Sequence, residues 1–104
     1  MSSTIKEMNV TEFKEWQASG KDFQLIDVRE QHEYDEANMD GLLIPLGTIP
    51  EHIDKIAKDK PVVIHCRSGK RSANAISYLQ SNHDFDNLIN LEGGILAWLD
   101  RQKG

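Results

Sequence analysis

Short apolar runs alternate with amphipathic stretches along this chain. Gln24-Leu25-Ile26-Asp27 reads as a strand ending in a carboxylate, and Leu42-Leu43-Ile44 as a second apolar run closed by Pro45. Pro61 precedes the central strand, Val62 to His65, and Leu88-Ile89-Asn90-Leu91 is another short strand. Helical signals fall between these runs. Thr11 serves as an N-cap with Glu12 in the first turn, Phe13 and Trp16 lie one turn apart, and Gly20 stops the helix. Glu30 to Glu36 is polar and predicts one or two helical turns. Thr48-Ile49-Pro50-Glu51 has the form of a capping box, followed by a helical stripe of Ile53, Ile56 and Ala57. A helix over Ser72 to Leu79 places Ala73, Ile76 and Leu79 on one face. Gly93-Gly94 breaks the chain before a last helix carrying Leu96, Trp98 and Leu99. Strands alternating with helices predict an α/β fold, a mainly parallel central sheet with helices on both faces.

The length of 104 residues predicts one domain with a single modest core. A net charge of -5 argues against a nucleic-acid-binding surface. One cysteine excludes an internal disulfide and a cysteine-based zinc site, and His32, His52 and His83 are too scattered to suggest a metal. Met1-Ser2-Ser3-Thr4 leads into charged residues with no signal-peptide core, and no apolar run is long enough to span a membrane. The expected location is the cytoplasm, a reducing compartment that suits a working thiol. Only the first and last few residues read as loose ends.

Against this acidic background, Cys66-Arg67-Ser68-Gly69-Lys70-Arg71-Ser72 is a local anomaly, with three cations in the six positions after the lone thiol. The thiol sits where a strand ends and a helix begins, the place where open α/β sheets bind ligands. A helix N-terminus favours an anion, Gly69 allows a tight turn, and backbone amides curled around a point form an anion cradle. All of this favours thiolate over thiol. A cysteine that merely fills a core would have apolar neighbours on both sides, and none of the next six side chains is apolar. Arg71 stands at the helix start, where a cation opposes the dipole, so it calls for a specific anion or carboxylate partner. Two chemistries use such a cradle. Cysteine phosphatases place an arginine six positions after the cysteine to clamp phosphate. Here Ser72 occupies that position and the arginine falls one earlier, at Arg71. The tighter ring suits a smaller target, such as a single sulfur atom.

Cys66 to Arg71 resembles the six-residue active loop of the single-domain rhodanese sulfurtransferases. Leu25-Ile26-Asp27-Val28-Arg29-Glu30-Gln31-His32-Glu33-Tyr34 resembles the family's amino-terminal signature, and Asn90-Leu91-Glu92-Gly93-Gly94-Ile95-Leu96-Ala97-Trp98 its carboxyl-terminal one. The resemblance covers roughly residues 5–102 and makes residues 1–104 one rhodanese-like domain. It departs at Ala37-Asn38-Met39, where the family has a Gly-His-Ile-like step. The resemblance implies that Cys66 takes a sulfane sulfur and becomes a persulfide. Arg67, Ser68, Gly69, Lys70, Arg71 and Ser72 would bind the substrate, with Arg67 and Lys70 at the loop mouth on the sulfonate end of a small anionic donor. Asp27 and Arg29 would support the site, Asp27 by capping the turn that follows and Arg29 by pairing with a carboxylate. His65 reads as a sheet-packing residue, because adjacent strand side chains point to opposite faces, and Trp98 as a core anchor. The implied activity passes sulfur from thiosulfate to cyanide or a thiol, with no cofactor and no metal. The alternatives are a persulfide carrier serving a protein acceptor, a phosphatase or arsenate reductase disfavoured by loop length, and an inactive binding domain, against which the intact cysteine and cations argue.

Overall fold

In the computed structural model, which describes residues 5–103, five parallel strands form one sheet. The expected loose end at Met1–Thr4 lies outside the described residues. The strands are β1 (Lys6–Met8), β2 (Gln24–Asp27), β3 (Leu42–Leu43), β4 (Val62–His65) and β5 (Leu88–Leu91), in the order β1-β5-β4-β2-β3. The helices are α1 (Val10–Ser19), α2 (Gln31–Glu36), α3 (Lys70–His83) and α4 (Gly94–Lys103). β1 has no counterpart in the hydrophobic pattern. Only Met8 of its three residues is buried, and pairing with Ile89–Leu91 of β5 defines it.

Two caps differ from the sequence reading. The N-cap of α1 is Asn9, not Thr11: its Oδ1 accepts the Glu12 N–H at 2.8 Å, and the Glu12 carboxylate accepts the Asn9 N–H at 3.1 Å. Asn is the stronger cap, and it stands directly before the buried Val10. The box read at Thr48–Glu51 does not form. Thr48 donates its hydroxyl to the Pro45 carbonyl at 2.8 Å, and the segment winds as two 3-10 turns, Leu46–Glu51 and Ile53–Lys55. Pro50 supplies no N–H to extend the first of them, and the short turns still bury Ile49 and Ile56.

The strands alternate as the pleat requires. Ile26, Val62, Ile64 and Leu88 pack with Ala75, Ile76 and Leu79 of α3 and with Ile49 and Ile56. Val63, Ile89 and Leu91 pack on the opposite face with Val10 and Phe13 of α1 and Ile95 of α4, and Trp98 joins this cluster half-buried. The chain leaves β2 through α2 towards β3 and leaves β4 through α3 towards β5, in opposite directions across the sheet. β2 and β4 are neighbours, with Asp27 beside His65 at their carboxyl ends. The crevice there is the topological switch point, and the Cys66 loop opens on it.

Candidate active site

Cys66 follows the last residue of β4 and is 1% exposed. One side of it belongs to the α3-facing core, and the other faces its own loop. The Gly69 N–H donates to Cys66 Sγ at 3.1 Å, and the Ser72 hydroxyl lies 3.5 Å from the same atom. The loop carbonyls turn the other way. Cys66 O accepts the Ile95 N–H at 2.9 Å, and Arg67 O accepts the Leu96 N–H at 3.1 Å, so the first turn of α4 holds the loop from outside. Gly69 reaches this arrangement with a φ of 110°, the left-handed side that favours glycine, and α3 starts immediately after it. Amides point in and carbonyls point out. Burial pushes the Cys66 thiol up, but the backbone amides of Ser72, Gly69 and Ser68 act against it, and the pKa lies below its ordinary value. Such a cradle favours the thiolate, the form in which a cysteine can act as a nucleophile.

The cradle rests on a buried polar brace. Ser72 Oγ donates to Asn90 Oδ1 at 2.5 Å, and Asn90 Nδ2 donates to Gly69 O and to Glu7 Oε2, each at 3.1 Å. Asn90 is 2% exposed on β5. Its only sequence signal is that one amide interrupts the apolar run Leu88-Ile89-Asn90-Leu91.

The cations divide. Arg67 and Lys70 are exposed at the loop mouth. Arg71 is instead held by Glu33 of α2 through two bonds of 2.8 Å, and this is the carboxylate its place at a helix start calls for. The Arg71 hydrogen bond, above all, lowers the Glu33 pKa to about 2, burial notwithstanding. Sequence reasoning demanded such a partner for Arg71 without naming Glu33.

Asp27 and Arg29 pair with each other beneath the crevice. Asp27 Oδ1 accepts the Arg29 backbone N–H at 2.9 Å, which caps the turn, and the guanidinium grips both carboxylate oxygens at 2.8–3.1 Å. Arg29 also donates to Ala37 O at 2.8 Å and so ties down the end of α2. His65 packs on the face opposite α3, its Nδ1 donating to Cys66 O at 3.3 Å and its Nε2 lying 3.6 Å from Asp27 Oδ2. Burial, first of all, lowers the His65 pKa, against the Asp27 carboxylate and the Cys66 carbonyl, which raise it. His65 supports the loop from below through its bond to Cys66 O.

Beside Arg67 lies a cleft of about 250 Å³ lined by Arg29, Glu33, Leu96 and Leu99, with Leu96 43% exposed. A larger cavity of about 540 Å³ lies by Pro61 and Leu88, at the opposite ends of β4 and β5 from Cys66. Among the described residues no three His, Cys, Asp or Glu side chains converge as metal ligands, and no helix is long and apolar enough to cross a membrane.

Residues 9–101 match the rhodanese-like domain family. A sulfurtransferase of Allochromatium vinosum is 36% identical over 95 residues, covering 90% of this chain and 88% of the relative. The thiosulfate sulfurtransferase GlpE of Shewanella oneidensis is 28% identical over 97 residues, covering 92% and 94%. The crystal structure of a rhodanese-like domain protein from Staphylococcus aureus superposes with a TM-score of 0.82 at 33% identity, covering 90% of this chain and 91% of that one.

Proposed function

The chain belongs to the rhodanese-like family, and on that premise we propose that it moves a sulfane sulfur from thiosulfate, or a related small anionic donor, to cyanide or a thiol through a persulfide on Cys66. The observation that carries this reading is the inward ring of amides around Cys66 Sγ, with the Gly69 N–H at 3.1 Å. The Cys66 thiolate attacks the outer sulfur of thiosulfate. A bond forms between the two sulfur atoms, the sulfur–sulfur bond of the donor breaks, and sulfite leaves with the electron pair. The acceptor, cyanide or a thiolate, then attacks the outer sulfur of the persulfide, and Cys66 leaves as thiolate. Each step is a displacement at sulfur that needs no cofactor. The amides of Arg67 to Ser72 carry the negative charge of thiolate and persulfide, and Arg67 and Lys70 draw the donor's sulfonate to the mouth. Because Cys66 is 1% exposed, a donor reaches it by seating one atom in the ring, which suits a sulfane sulfur better than a tetrahedral phosphoryl group. Residues 1–104 act on this reading as one domain, and the cytoplasm is its proposed location.

A second reading, a persulfide carrier that hands its sulfur to a protein, is favoured by one feature. The exposed Leu96 and the cleft beside Arg67 give such an acceptor a footing next to the loop. A carrier would be slow with free thiols and fast with one protein.

Intact mass spectrometry after incubation with thiosulfate tests the common step. The protein gains the mass of one sulfur atom, a thiol reverses the gain, and Cys66→Ser shows neither change. A wild-type protein that never gains sulfur, or a Cys66→Ser variant that does, would sink the mechanism.

A further inference from the structure

The loop carries three cations, but they are not equally available. Arg67 and Lys70 are exposed, whereas Arg71 is clamped by both carboxylate oxygens of Glu33 at 2.8 Å. The clamp is a charge-assisted fork, the same geometry in which a guanidinium grips two oxygens of a phosphate. Glu33 is itself fixed. Its Oε2 accepts the Glu30 N–H at 2.9 Å in the capping box of α2, and Arg29 anchors the end of that helix through Ala37 O at 2.8 Å. Arg71 belongs to the first turn of α3, and the negative charge of the Cys66 thiolate helps hold its proton, so the two charges act on each other. The amide ring, the helix N-terminus and a freed Arg71 together would make a general oxyanion site.

We propose that Glu33 is a specificity-determining residue: by occupying Arg71 with a carboxylate of the chain's own, it withholds the loop's third cation from tetrahedral oxyanions such as phosphate, arsenate and sulfate. The proposal rests on the sulfur-transfer reading of the loop, where these abundant anions would compete with the donor for the mouth. With Arg71 masked, two exposed cations attract a small anionic donor, and nothing clamps a second or third oxygen. Glu33 touches no reacting atom. It acts through Arg71.

The test reads phosphate binding without any sulfur chemistry, so its outcome is separable from that of the mass experiment. The probe is inorganic phosphate, and the readout is the concentration that protects Cys66 from alkylation by neutral iodoacetamide at fixed pH and ionic strength. Glu33→Gln keeps the shape and an oxygen for the Glu30 N–H, but turns an amide N–H towards Arg71. We expect phosphate to protect this variant at concentrations about tenfold lower than wild type, equivalent to about 1.4 kcal/mol. Glu33→Gln/Arg71→Gln replaces the ion pair by a neutral pair, and phosphate should protect it within twofold of wild type. Two results would overturn the proposal. One is Glu33→Gln protected no better than wild type, which would make the pair a plain brace between α2 and α3. The other is a double variant protected far less well than wild type, or as well as the single variant. If Glu33→Gln fails to fold, Glu33→Ala, which also removes both acceptors of the Arg71 fork, takes its place with the same expected gain and the same overturning result.

Discussion

A β-carbon on Gly94 would stand 2.5 Å from the carbonyl oxygen of Cys66. Arg67 O and C would lie almost as close, at 2.6 and 2.7 Å, and all of these are backbone atoms that cannot swing aside. Gly94 also has a φ of 59°, in the region that favours glycine. The absent side chain is what lets the first turn of α4 approach the loop and take its carbonyls. Gly94→Ala should therefore push the loop out of shape and scatter its amides. We expect sulfur transfer to fall by at least tenfold, while urea unfolding shows a loss of about 1–3 kcal/mol, the usual range for local backbone strain. Unchanged turnover in a folded Gly94→Ala protein would mean that the α4 contact does not set the amide ring.

Thiol acidity is the second expectation. Burial acts against ionisation of Cys66, but the loop amides reverse it, so the midpoint of alkylation against pH falls below the free-thiol value of about 8.5. The linkage follows the same sign. The folded pKa is depressed, so the thiolate stabilises the fold, fully so above the unfolded value, and that contribution is lost as pH falls through the folded one. Relative to Cys66→Ser, the wild-type protein should gain stability as pH rises between those two values and hold a constant difference below them. A midpoint at or above the free value, or a stability difference that shrinks with rising pH, counts against a stabilised thiolate.

Arg67 and Lys70 provide a third test, because they are exposed and, on the proposed reading, act on the donor's charge. Arg67→Ala and Lys70→Ala should each raise KM for thiosulfate several-fold, leave kcat within about twofold, and weaken the dependence of kcat/KM on ionic strength. A neutral persulfide donor should be affected less. Equal losses with every donor would show that these side chains tune Cys66 or hold the loop.

The β2, β4 and β5 runs and the strand–loop–helix around Cys66 were legible because burial and local sequence agree there. Val62-Val63-Ile64 is apolar on both faces because helices cover both. β1 was not legible, since Lys6 and Glu7 are exposed and only pairing with β5 makes them a strand. The Thr48 box matched a local pattern that the chain does not use, because the hydroxyl finds the Pro45 carbonyl instead. At the site, sequence pointed to Cys66 and its loop, to the turn-capping Asp27 and to a carboxylate for Arg71. It did not reveal Glu33 as that carboxylate, 38 residues away, or Asn90 as the link between Ser72 and Gly69, 18 and 21 residues distant. Such pairings depend on which strands neighbour one another, and nothing local to either residue records that. Gly93-Gly94 marks the turn between β5 and α4 in sequence and structure alike, but the close approach to Cys66 needs the fold to be seen.

The last prediction concerns Arg29 and its buried partner. Asp27 is 0% exposed and Arg29 4%, so both charges lie out of water and rely on each other. Asp27 receives three guanidinium contacts within 3.1 Å and one backbone N–H from Arg29. Removing a single partner from such a pair leaves an uncompensated charge in the interior and costs about 3–5 kcal/mol. That is a large part of the 5–15 kcal/mol that roughly spans small-domain stabilities. Arg29→Met keeps much of the volume and should lower the urea unfolding free energy by about that amount. It also frees Ala37 O, so α2 loosens, Glu33 loses its fixed position, and sulfur transfer should fall even where the variant remains folded. Asp27→Asn/Arg29→Met removes both charges, and it should unfold at a higher urea concentration than Arg29→Met alone. That ordering separates charge burial from simple loss of contact. A single variant that loses less than about 1 kcal/mol, or a double variant less stable than the single, would mean that the Asp27–Arg29 pair does not hold the carboxyl end of β2 in place.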